Sequence, residues 1–415
     1  MSKKDIYDLA VIGAGAAGIF AAITAARRGC CVVLIEHSNQ IGKKLLSTGN
    51  GRCNFSNLLM QPDCYHSSSG EGYFRVIEDY DSDCLQAFFQ ELGMLITNKN
   101  GYLYPATQSA VTVLEIFKLE LERLQVKIKT NTILSQLTQS NDQFQLMTDS
   151  GYIMHAKNVL LATGSKAAPF TGSDGSGYDY AVKFGHRLVP IVPSLTGIES
   201  SDSFFHHIPK IRFDGTICVM IENKQIYEEK GQLQLSDYGI SGIPVFQLSR
   251  YVSYAAQQKK HIKGTISFVE ENYAQILKKL HLIAKVRANN PIRKLLIGIV
   301  DGKLIAPIIK RLDIDSSLLI QDMTEADFQK VASFLTGFEF RIQKTRGYND
   351  AQVCAGGIDL NQIDLKTMES KIVKGLYFAG EILDVDGKCG GYNLQWAFSS
   401  AHKAAMNIRD KGDNG

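Results

Sequence analysis

The sequence predicts an α/β fold in which a domain built around a parallel sheet is interrupted by an inserted domain. Three observations support this prediction. A strand, a glycine-rich turn and an alanine-rich helix follow one another near the N-terminus, a strand and a helix of the same kind lie near the C-terminus, and strand-like and then helical stretches fill the middle. With 415 residues the chain is also too long for one small core, so about two or three domains are expected.

The N-terminal segment has the order of elements that is typical of a dinucleotide-binding unit. Residues 7–12 are apolar enough for a buried parallel strand and lead into a glycine turn at residues 13–18. An alanine-rich helix then runs to Arg28, a second buried strand occupies residues 31–35, and Glu36 ends that strand. A glycine pattern alone is weak evidence, and a turn without a ligand is the alternative. The complete order of strand, helix, strand and acid favours a nucleotide site.

Each residue of this fingerprint has a mechanical role. Gly13 allows the tight turn from strand to helix, Gly15 lets the backbone approach a pyrophosphate, and Gly18 lets the helix pack closely on the strand. The free N–H groups and the dipole at the helix N-terminus favour phosphate. Glu36 can accept hydrogen bonds from a ribose diol, and its charge repels a 2′-phosphate. The fingerprint predicts a Rossmann-type domain but does not separate FAD from NAD.

Three further segments carry more specific motifs. Residues 43–57 contain the run GRCNFSN, residues 159–164 read VLLATG, and residues 375–397 end in the run GKCGGYNLQWA. These segments resemble the BaiN/YhiN-like flavoproteins, often described as FAD-binding enzymes of the aminoacetone oxidase family, and the likeness covers nearly the whole chain. The resemblance implies FAD as the cofactor and a glutathione-reductase-like FAD-binding domain. The fingerprint and the resemblance together imply the following FAD-binding residues: Gly13, Gly15, Ala16, Ala17, Gly18, Glu36, His37, Lys43, Lys44, Leu45, Ser47, Gly49, Asn50, Gly51, Arg52, Cys53, Asn54, Leu134, Ala162, Thr163, Gly164, Gly380, Glu381, Asp384, Gly390, Gly391, Tyr392, Asn393 and Leu394.

The double glycine at Gly390 and Gly391 is predicted to begin a helix. Apolar residues recur at helical spacing from Leu394 to Ile408, which places the two glycines at the helix N-terminus. In the fold that the chain resembles, this dipole points at the N1–C2=O edge of the flavin, where negative charge gathers on reduction. A simple loop before a surface helix is the alternative.

The FAD-binding domain is predicted to be discontinuous, because its closing strand and helix lie near the C-terminus. We expect residues 1–192 and 342–415 to form it, and residues 193–341 to form an inserted substrate domain. The insertion is expected to be β-rich over about 193–270 and helical over about 274–335. The resemblance implies a β-barrel-like domain that carries a small helical subdomain.

The glycines of residues 172–177 do not form a second fingerprint. No strong strand leads into them and their spacing is wrong, so we interpret this segment as a loop that enters a helix. NADH or NADPH is therefore expected to visit the flavin transiently rather than to occupy a domain of its own.

Residues 235–244 resemble the family's THFGISGP loop with two departures. Ser236, Asp237 and Tyr238 stand in place of Thr-His-Phe, and Ile243 precedes the proline. If the family's histidine takes part in chemistry, this chain does without it. Asp237 could replace the histidine as an acid or could cap the turn, and the second role is favoured.

The eight cysteines form no CxxC pair and no Cys/His spacing typical of zinc, so neither a metal nor a disulfide framework is expected. Cys53, Cys354 and Cys389 lie in segments expected near the flavin and are candidate proton donors to a carbon centre. No pair of them has the spacing of a redox motif, which argues against a disulfide reductase. For each cysteine alone, a packing role is favoured.

The resemblance leaves two enzyme classes open, in both of which FAD supplies the redox chemistry. One is reduction driven by NADH or NADPH, in which hydride passes to an activated C=C bond of an unsaturated 3-oxo bile acid or of a uridine in large-subunit ribosomal RNA. The other is the oxidation of an amine such as aminoacetone, with oxygen reduced to hydrogen peroxide. A flavin-binding scaffold without activity is a third alternative, although no signalling module is recognisable.

The charge is unevenly distributed along the chain, although the net charge is only +3. Residues 251–311 contain 12 Lys and Arg against 3 Asp and Glu, a net charge of +9, and the remainder has 33 against 39, a net charge of −6. This asymmetry favours ribosomal RNA as a partner of the segment, with an anionic small molecule or merely solvated helix faces as alternatives. Aromatic residues are sparse there, so contacts to phosphate are expected rather than base stacking.

The N-terminus contains an uncharged run that could be mistaken for a signal peptide or a membrane anchor. Lys3 and Lys4 precede this run, which covers residues 9–26. It follows Asp8, is mostly Ala and Gly, and is explained by the glycine fingerprint. We therefore expect a cytoplasmic protein without membrane association.

Overall fold

A computed structural model describes residues 6–206, 208 and 210–408 of the chain, so Lys3 and Lys4 lie outside the described residues. The strands are β1 Ile6–Ile12, β2 Val32–Ile35, β3 Ser56–Asn57, β4 Tyr65–His66, β5 Ile96–Lys99, β6 Tyr102–Pro105, β7 Lys127–Lys129, β8 Leu134–Ser140, β9 Gln143–Thr148, β10 Ile153–Leu161, β11 Leu188–Ser194, β12 Ile198–Ser200, β13 Ile211–Ile221, β14 Lys224–Ser236, β15 Gly239–Gly242, β16 Ile262–Ser267, β17 Phe338–Thr345, β18 Val353–Ile358, β19 Ile363–Asp364, β20 Glu369–Ser370, β21 Leu376–Phe378 and β22 Asp386–Gly387. The helices are α1 Ala16–Arg27, α2 Lys43–Ser47, α3 Phe74–Glu78, α4 Ser82–Glu91, α5 Ala110–Arg123, α6 Ser176–Lys183, α7 Ile243–Gln257, α8 Tyr273–Val286, α9 Gly302–Arg311, α10 Glu325–Gly337 and α11 Tyr392–Met406. Among the described residues, no helix is both long enough and apolar enough to cross a bilayer.

The chain divides into two compact units. The first unit contains Met1–Ile191 and Val353–Gly415, and the second contains Val192–Gln352. The predicted end of the insertion, residue 341, falls inside β17, which pairs with β12 and β16 of the second unit. The chain leaves this unit only after that strand is complete, because cutting the strand would break its hydrogen-bonded ladder.

The first unit is built on a sheet whose order is β19-β20-β21-β10-β1-β2-β7. β1 lies between β10 and β2 and is parallel to both, and β21 is parallel to β10 on the far side. In this register Ile12, Ile35, Leu161 and Phe378 lie side by side at the ends of four strands. The segments that follow these strands therefore meet at the carboxyl edge of the sheet, where ligands bind in open α/β sheets.

Helices cover the sheet of the first unit, which explains why its central strands are continuous apolar runs. All four residues of β2 and all three of β21 are buried. Phe20 of α1 lies 5.1 Å from Phe398 of α11 and 4.6 Å from Phe88 of α4, measured between ring centroids. Such aromatic pairs contribute about 0.5–1.5 kcal/mol each beyond the area that they bury. The glycine turn is therefore held on a rigid, well-packed support.

The second unit contains a closed antiparallel barrel in the order β12-β15-β14-β13-β16-β17. Buried and partly exposed residues alternate along its strands. In β13, Ile217 and Val219 are fully buried, while Thr216 and Cys218 are partly exposed. Helices α8, α9 and α10 form the helical part of the unit, and Leu280 of α8 belongs to the same buried apolar cluster. The fold class is the predicted one, a Rossmann-type domain with an inserted barrel and helices.

Candidate functional site

The glycine turn between β1 and α1 has one position that is open to a ligand. A Cβ on Gly13, whose φ is +96°, would lie 2.6 Å from the carbonyl oxygen of Ala162, and a Cβ on Gly18 would lie 1.8 Å from that of Gly13. A Cβ on Gly15 would meet no protein atom within 4 Å. Gly13 and Gly18 are therefore required by the protein itself, whereas the space in front of Gly15 is available to a phosphate.

The first turn of α1 presents backbone N–H groups beside Gly15. Gly15 is the N-cap residue, and its carbonyl oxygen accepts the bond from the N–H of Ile19 at 3.0 Å. The N–H groups of Ala16, Ala17 and Gly18 donate to no described residue of the protein. Unpaired N–H groups at the positive end of a helix dipole form an anion site, which suits the pyrophosphate of a dinucleotide.

Glu36 at the end of β2 lies beside this turn. Its Oε2 accepts from the N–H of Ala14 at 2.9 Å, and its Oε1 accepts from the N–H of Ser38 at 2.8 Å. These bonds fix the carboxylate and still leave lone pairs for ribose hydroxyls. His37 Nε2 lies 3.8 Å from Glu36 Oε1, and a Cβ on Gly172 would lie 2.9 Å from that same His37 nitrogen. Gly172, in the glycine-rich segment that does not form a second fingerprint, thus packs against Glu36 and His37.

The second glycine turn, before α11, is closed by protein atoms. A Cβ on Gly391, the N-cap residue with a φ of +92°, would lie 2.4 Å from the carbonyl oxygen of Ser56. A Cβ on Gly390 would lie 2.7 Å from Cε1 of Tyr102. The N–H groups of residues 392–394 donate to no described residue outside α11. The turn is therefore glycine because its own chain crowds it, and the helix end supplies a second set of donors.

Lys44 and Glu381, both predicted to bind FAD, bind each other. Lys44 Nζ lies 2.7 Å from Glu381 Oε2 and also donates to the carbonyl oxygen of Ala167 at 3.1 Å. Glu381 Oε1 accepts from Ser165 Oγ at 2.6 Å and from the N–H of Cys354 at 2.9 Å. The two charges are thus committed to joining distant segments of the first unit. Their contacts to FAD, expected from the sequence, stay a prediction.

Asp384 and Asn393 are likewise used inside the protein. Asp384 is buried, and its Oδ2 accepts from the N–H of Ser68 at 2.9 Å. Asn393 donates from Nδ2 to the carbonyl oxygen of Gly387 and accepts from the N–H of Gly387, both at 2.8 Å. Both side chains shape loops around the site. Their contacts to a cofactor stay a prediction.

The loop between α2 and β3 has an unusual backbone. Asn50 and Cys53 have φ values of +55° and +56°, in the left-handed region that non-glycine residues rarely occupy. Gly49 and Gly51 in the same loop also have positive φ. Asn54 Oδ1 is buried and accepts no hydrogen bond from the described residues. A buried acceptor without a donor is costly, and a ring N–H of a cofactor is the kind of group that satisfies it.

The other predicted cofactor residues lie around the same edge. Residues 162–164 directly follow β10, and Leu134 begins β8, where its carbonyl oxygen accepts from Tyr180 at 2.5 Å. Lys43, Leu45 and Ser47 belong to the short helix α2, in which Leu45 is buried. These positions are compatible with the prediction, and their contacts to a cofactor stay a prediction.

The three candidate cysteines differ in accessibility. Cys53 is 0% exposed and Cys354 is 1% exposed, so their Sγ atoms meet only protein atoms. Burial raises the pKa of Cys53 to about 12, and burial together with the charge of Glu381 raises the pKa of Cys354 to about 11. Cys389 is partly exposed, and desolvation raises its pKa to about 11. Burial favours a packing role for Cys53 and Cys354, and Cys389 is the most accessible of the three thiols; the role of each as a proton donor stays a prediction.

Asp237 lies in the second unit, in the turn between β14 and β15. Its side chain is exposed and accepts no hydrogen bond from the described residues, so the expected cap of the turn is not seen. Its role as an acid stays a prediction. Within the described parts of the chain, no group of His, Cys, Asp and Glu is arranged to hold a metal ion.

Some of these contacts have no signal in the sequence. Ser165 is fully buried and bonds to Glu381, 216 positions further along the chain, and only the parallel pairing of β10 and β21 brings the two segments together. Tyr102 against Gly390 is a second example, since it depends on the pairing of β3 with β6. No local pattern predicts such long-range neighbours.

The first unit fits the cofactor that the sequence predicts. It offers an open, N–H-lined position at Gly15 for a pyrophosphate, a fixed carboxylate at Glu36 for a ribose, and the N-terminus of α11 with the unsatisfied Asn54 Oδ1 for a polar ring edge. Each partner is of the chemical type that FAD requires at its phosphates, its sugar and its ring.

Comparisons with known proteins agree with this geometry. The family model described as HI0933-like protein Rossmann domain matches residues 7–407. A 3-dehydro-bile acid delta(4,6)-reductase of Clostridium scindens is 36% identical over 401 residues, covering 95% of this chain and 97% of that protein. A ribosomal RNA dihydrouridine synthase of Haemophilus influenzae is 31% identical over 408 residues, covering 96% and 97%. A 3-ketosteroid-delta4-(5alpha)-dehydrogenase of Rhodococcus jostii has a similar fold, with a TM-score of 0.54 at 13% identity and coverage of 99% and 98%.

Proposed function

Because the chain belongs to the HI0933-like Rossmann-domain family and is an FAD-dependent oxidoreductase, we propose that it reduces an activated carbon–carbon double bond with NADH or NADPH as the source of hydride. The observation that carries the direction of the reaction is that the Clostridium and Haemophilus relatives, both more than 30% identical over nearly their whole length, are named for a reduction and for a reduced product. Dihydrouridine is uridine with its C5–C6 double bond saturated.

The residues of the first unit bind and orient the cofactor. When bound, FAD supplies the hydride chemistry by accepting a hydride from a nicotinamide and passing it to the substrate. The N–H groups at the start of α1 bind the pyrophosphate, and Glu36 binds the ribose. Because residues 172–177 lead into α6, with Gly172 against Glu36 and His37, and do not form a second nucleotide fingerprint, the nicotinamide binds only transiently.

Saturation of the double bond also needs a proton. Hydride adds to one carbon, and a proton must reach the neighbouring carbon or the carbonyl oxygen conjugated to it. Cys389 is partly exposed, and its thiol, whose pKa desolvation raises to about 11, is protonated at neutral pH. Cys389 is the proposed donor.

A uridine in ribosomal RNA is the substrate that the charge distribution favours. In the second unit, eight exposed cations of the basic segment make no ion pair with a described residue: Lys259, Lys260, Lys278, Lys285, Arg293, Lys294, Lys303 and Lys310. Lysines that were simply balancing a protein surface would be expected to have carboxylate neighbours. Unpaired exposed cations on one unit suit the phosphates of RNA.

An unsaturated 3-oxo bile acid is the second candidate substrate. It is favoured by the 36% identity to the bile acid reductase, which exceeds the 31% identity to the dihydrouridine synthase. An enone of this kind undergoes the same hydride addition as uracil, so the two candidates share one chemistry.

The reaction is tested under anaerobic conditions. The cofactor released on denaturation is first identified, and FAD is expected. The protein is then reduced with NADH or NADPH and mixed separately with an unmodified ribosomal RNA fragment, a 3-oxo-4,6-diene bile acid and oxygen. Flavin reoxidation by the RNA, with dihydrouridine found by mass spectrometry of the nucleosides, is the expected result.

The other outcomes distinguish the alternatives. Reoxidation of the flavin by the bile acid alone would make the bile acid the favoured substrate. Reoxidation by oxygen alone, together with peroxide formation from aminoacetone, would contradict the proposal and indicate an amine oxidase.

A further inference from the structure

The hairpin of β5 and β6 presents a polar aromatic face in the first unit. Residues along β6 alternate between two sides, with Leu103 and Pro105 buried and Tyr102 and Tyr104 on the opposite side. Tyr102 is 38% exposed, although a tyrosine that only filled the core would be covered. The hairpin therefore shows two neighbouring tyrosines to its surroundings.

This face adjoins the glycine turn that begins α11. β6 pairs with β3, and Asn57 of β3 donates from Nδ2 to the carbonyl oxygen of Gly390 at 3.0 Å. A Cβ on Gly390 would lie 2.7 Å from Cε1 and 3.4 Å from Cδ1 of Tyr102, so the edge of the tyrosine ring touches the turn. The position next to this turn is Cys389, the proposed proton donor. Tyr102 thus lies beside the turn that follows the proposed proton donor.

Arg52 adds a cation to the same face. Its Cζ lies 5.8 Å from the centroid of the Tyr104 ring, and its Nε donates to the carbonyl oxygen of Gly49 at 3.2 Å. The side chain is exposed and makes no ion pair with a carboxylate among the described residues. Tyr104 and Gly49 thus hold a planar guanidinium in place while its remaining N–H groups stay available to an anion.

We propose that Tyr102, Tyr104 and Arg52 form the substrate-recognition surface of the enzyme, where Tyr102 stacks on the uracil of an RNA nucleotide and Arg52, which the sequence resemblance assigns to FAD, instead binds a phosphate of that nucleotide. The inference rests on the proposed reduction of uridine and names the residues that select it. Tyr104 is a positioning residue, because it acts through the guanidinium that lies over its ring.

The composition of this surface favours a nucleotide over other anionic partners. A base that has left its stack is held by the flat face of an aromatic side chain, and a guanidinium matches two phosphate oxygens at once. A steroid nucleus is bulky and saturated in most of its rings, so it needs an apolar pocket rather than a partly exposed tyrosine and a cation. The tyrosine ring and the guanidinium charge together therefore indicate a nucleotide as the ligand.

The stacking role is tested with two substitutions that keep bulk against Gly390. Tyr102→Leu removes the aromatic face, and Tyr102→Phe retains it. Binding of a fluorescently labelled ribosomal RNA stem–loop to the FAD-loaded protein is measured by anisotropy. Tyr102→Leu is expected to raise the Kd about 5- to 100-fold, whereas Tyr102→Phe stays within about twofold of the parent.

The phosphate role is tested through the dependence of binding on salt. Arg52→Gln is expected to lower the slope of log Kobs against log salt concentration by about 0.7, the amount for one phosphate contact in a single strand. Arg52→Lys keeps the charge and should restore the slope. A purely structural role of Arg52 would change the affinity without changing the slope.

Tyr152 and Lys129 provide a matched control in the same unit. The Nζ of Lys129 lies 4.6 Å from the Tyr152 ring centroid, and Tyr152 is 44% exposed. The pair is thus also a cation over an exposed tyrosine, but it does not adjoin the turn at Gly390 and Gly391. Tyr152→Leu and Lys129→Gln should change neither the Kd nor the slope.

Two results would overturn the inference. One is an unchanged Kd for Tyr102→Leu together with an unchanged slope for Arg52→Gln. The other is an equal loss of binding in the Tyr152→Leu control, which would show a general surface effect. Failure of the proposed function gives a different pattern, because the parent then forms no dihydrouridine while the binding comparison still decides the role of the surface.

Discussion

Gly15 and Gly18 belong to one turn but are glycine for different reasons. Gly18 has no room for a side chain, since its Cβ would lie 1.8 Å from the carbonyl oxygen of Gly13, whereas Gly15 faces open space. We therefore expect Gly18→Ala to destabilise the protein with or without FAD. Gly15→Ala should leave the apoprotein folded and weaken only the binding of FAD, by about tenfold or more, because the added methyl group occupies the space for the phosphates.

Thermal unfolding of the apo and FAD-loaded proteins checks this pair. The parent should gain stability on adding FAD, Gly15→Ala should unfold at the parent's temperature without FAD and gain much less, and Gly18→Ala should unfold earlier in both states. If Gly15→Ala binds FAD as tightly as the parent does, the pyrophosphate does not lie against this residue.

The buried cysteines make the protein sensitive to alkali. Burial raises the pKa of Cys53 to about 12 and that of Cys354 to about 11, above the usual cysteine value of about 8.5. Above that usual value the unfolded chain releases protons that the folded chain keeps, so the stabilisation is complete at neutral pH and is lost as pH rises toward the folded pKa values. Within this window, the free energy of unfolding falls by about 1.4 kcal/mol per such thiol for each unit by which the pH rises.

Urea unfolding between pH 8 and about pH 10.5 tests the prediction. The slope of the free energy of unfolding against pH should be shallower in Cys53→Ala and Cys354→Ala than in the parent. Cys31→Ala removes an exposed thiol and should leave the slope unchanged. Equal slopes in all three variants and the parent would mean that the two buried thiols ionise normally.

At the level of elements, a carboxylate joins helices of the first unit. Glu120 of α5 is 3% exposed, and its Oε1 accepts from Arg27 Nε of α1 at 2.7 Å, while its Oε2 accepts from Arg123 Nε at 2.7 Å. Hydrogen bonds from Arg123, followed by those from Arg27, hold the pKa of Glu120 below its usual value. The stabilisation is therefore complete above the usual glutamate pKa of about 4.3, and it is lost as pH falls from that value toward the lower pKa of the folded protein.

Glu120→Gln is expected to lower the free energy of unfolding at pH 7 by about 1.5–3 kcal/mol, because hydrogen bonds to a charged group are removed and Arg27 keeps only Glu91 as a carboxylate partner among the described residues. The deficit should shrink as pH falls below about 4.3, where the unfolded chain takes up a proton that the folded carboxylate does not. Glu115→Gln, whose carboxylate pairs with exposed Lys118 on the same helix, should change stability by less than about 0.5 kcal/mol. A deficit in Glu120→Gln that does not depend on pH would argue against the ion pairs as its cause.

Some elements could be predicted from the sequence because local chemistry decides them. The strand, glycine turn and helix that contain Gly15, and the helix after Gly391, appear where the apolar periods and glycines indicate them. The use of Lys44 and Glu381 could not be predicted, since a motif shows that a charge is present but not which partner reaches it first. The second unit ends at Gln352 rather than at the expected residue 341 for a related reason, because β17 belongs to that unit through pairing with β12, about 140 residues earlier.

At the level of the whole molecule, the proposed function assigns different tasks to the two units. The first unit contains the glycine turns, the fixed acid and the partly exposed thiol, and the second contains a barrel and helices with several surface cations that have no carboxylate partner among the described residues. A small amine or a steroid does not need such cations, whereas a large polyanion does. The division makes a separable prediction, since RNA binding should respond to charges of the second unit that have no bearing on FAD.

Neutralising Lys259, Lys260, Arg293 and Lys294 together to Gln removes four exposed cations, none of which pairs with a carboxylate among the described residues. We expect weaker binding of a ribosomal RNA fragment. The slope of log Kobs against log salt should fall by about 0.7 to 0.9 for each phosphate that the variant no longer neutralises. The FAD content and the NADH- or NADPH-driven reduction of a small electron acceptor should not change.

A second quadruple variant separates this effect from a change in net charge. Lys127, Lys183, Lys366 and Lys374 are exposed lysines of the first unit, so their conversion to Gln alters the total charge equally. If the cations of the second unit bind phosphate directly, only the first variant flattens the salt dependence, because counterions are released only where phosphates are contacted. If both variants lower the slope equally, long-range attraction to a positive molecule explains the binding, and the basic segment is a solvated surface. In that case the bile acid, which needs no extended cationic surface, becomes the favoured substrate.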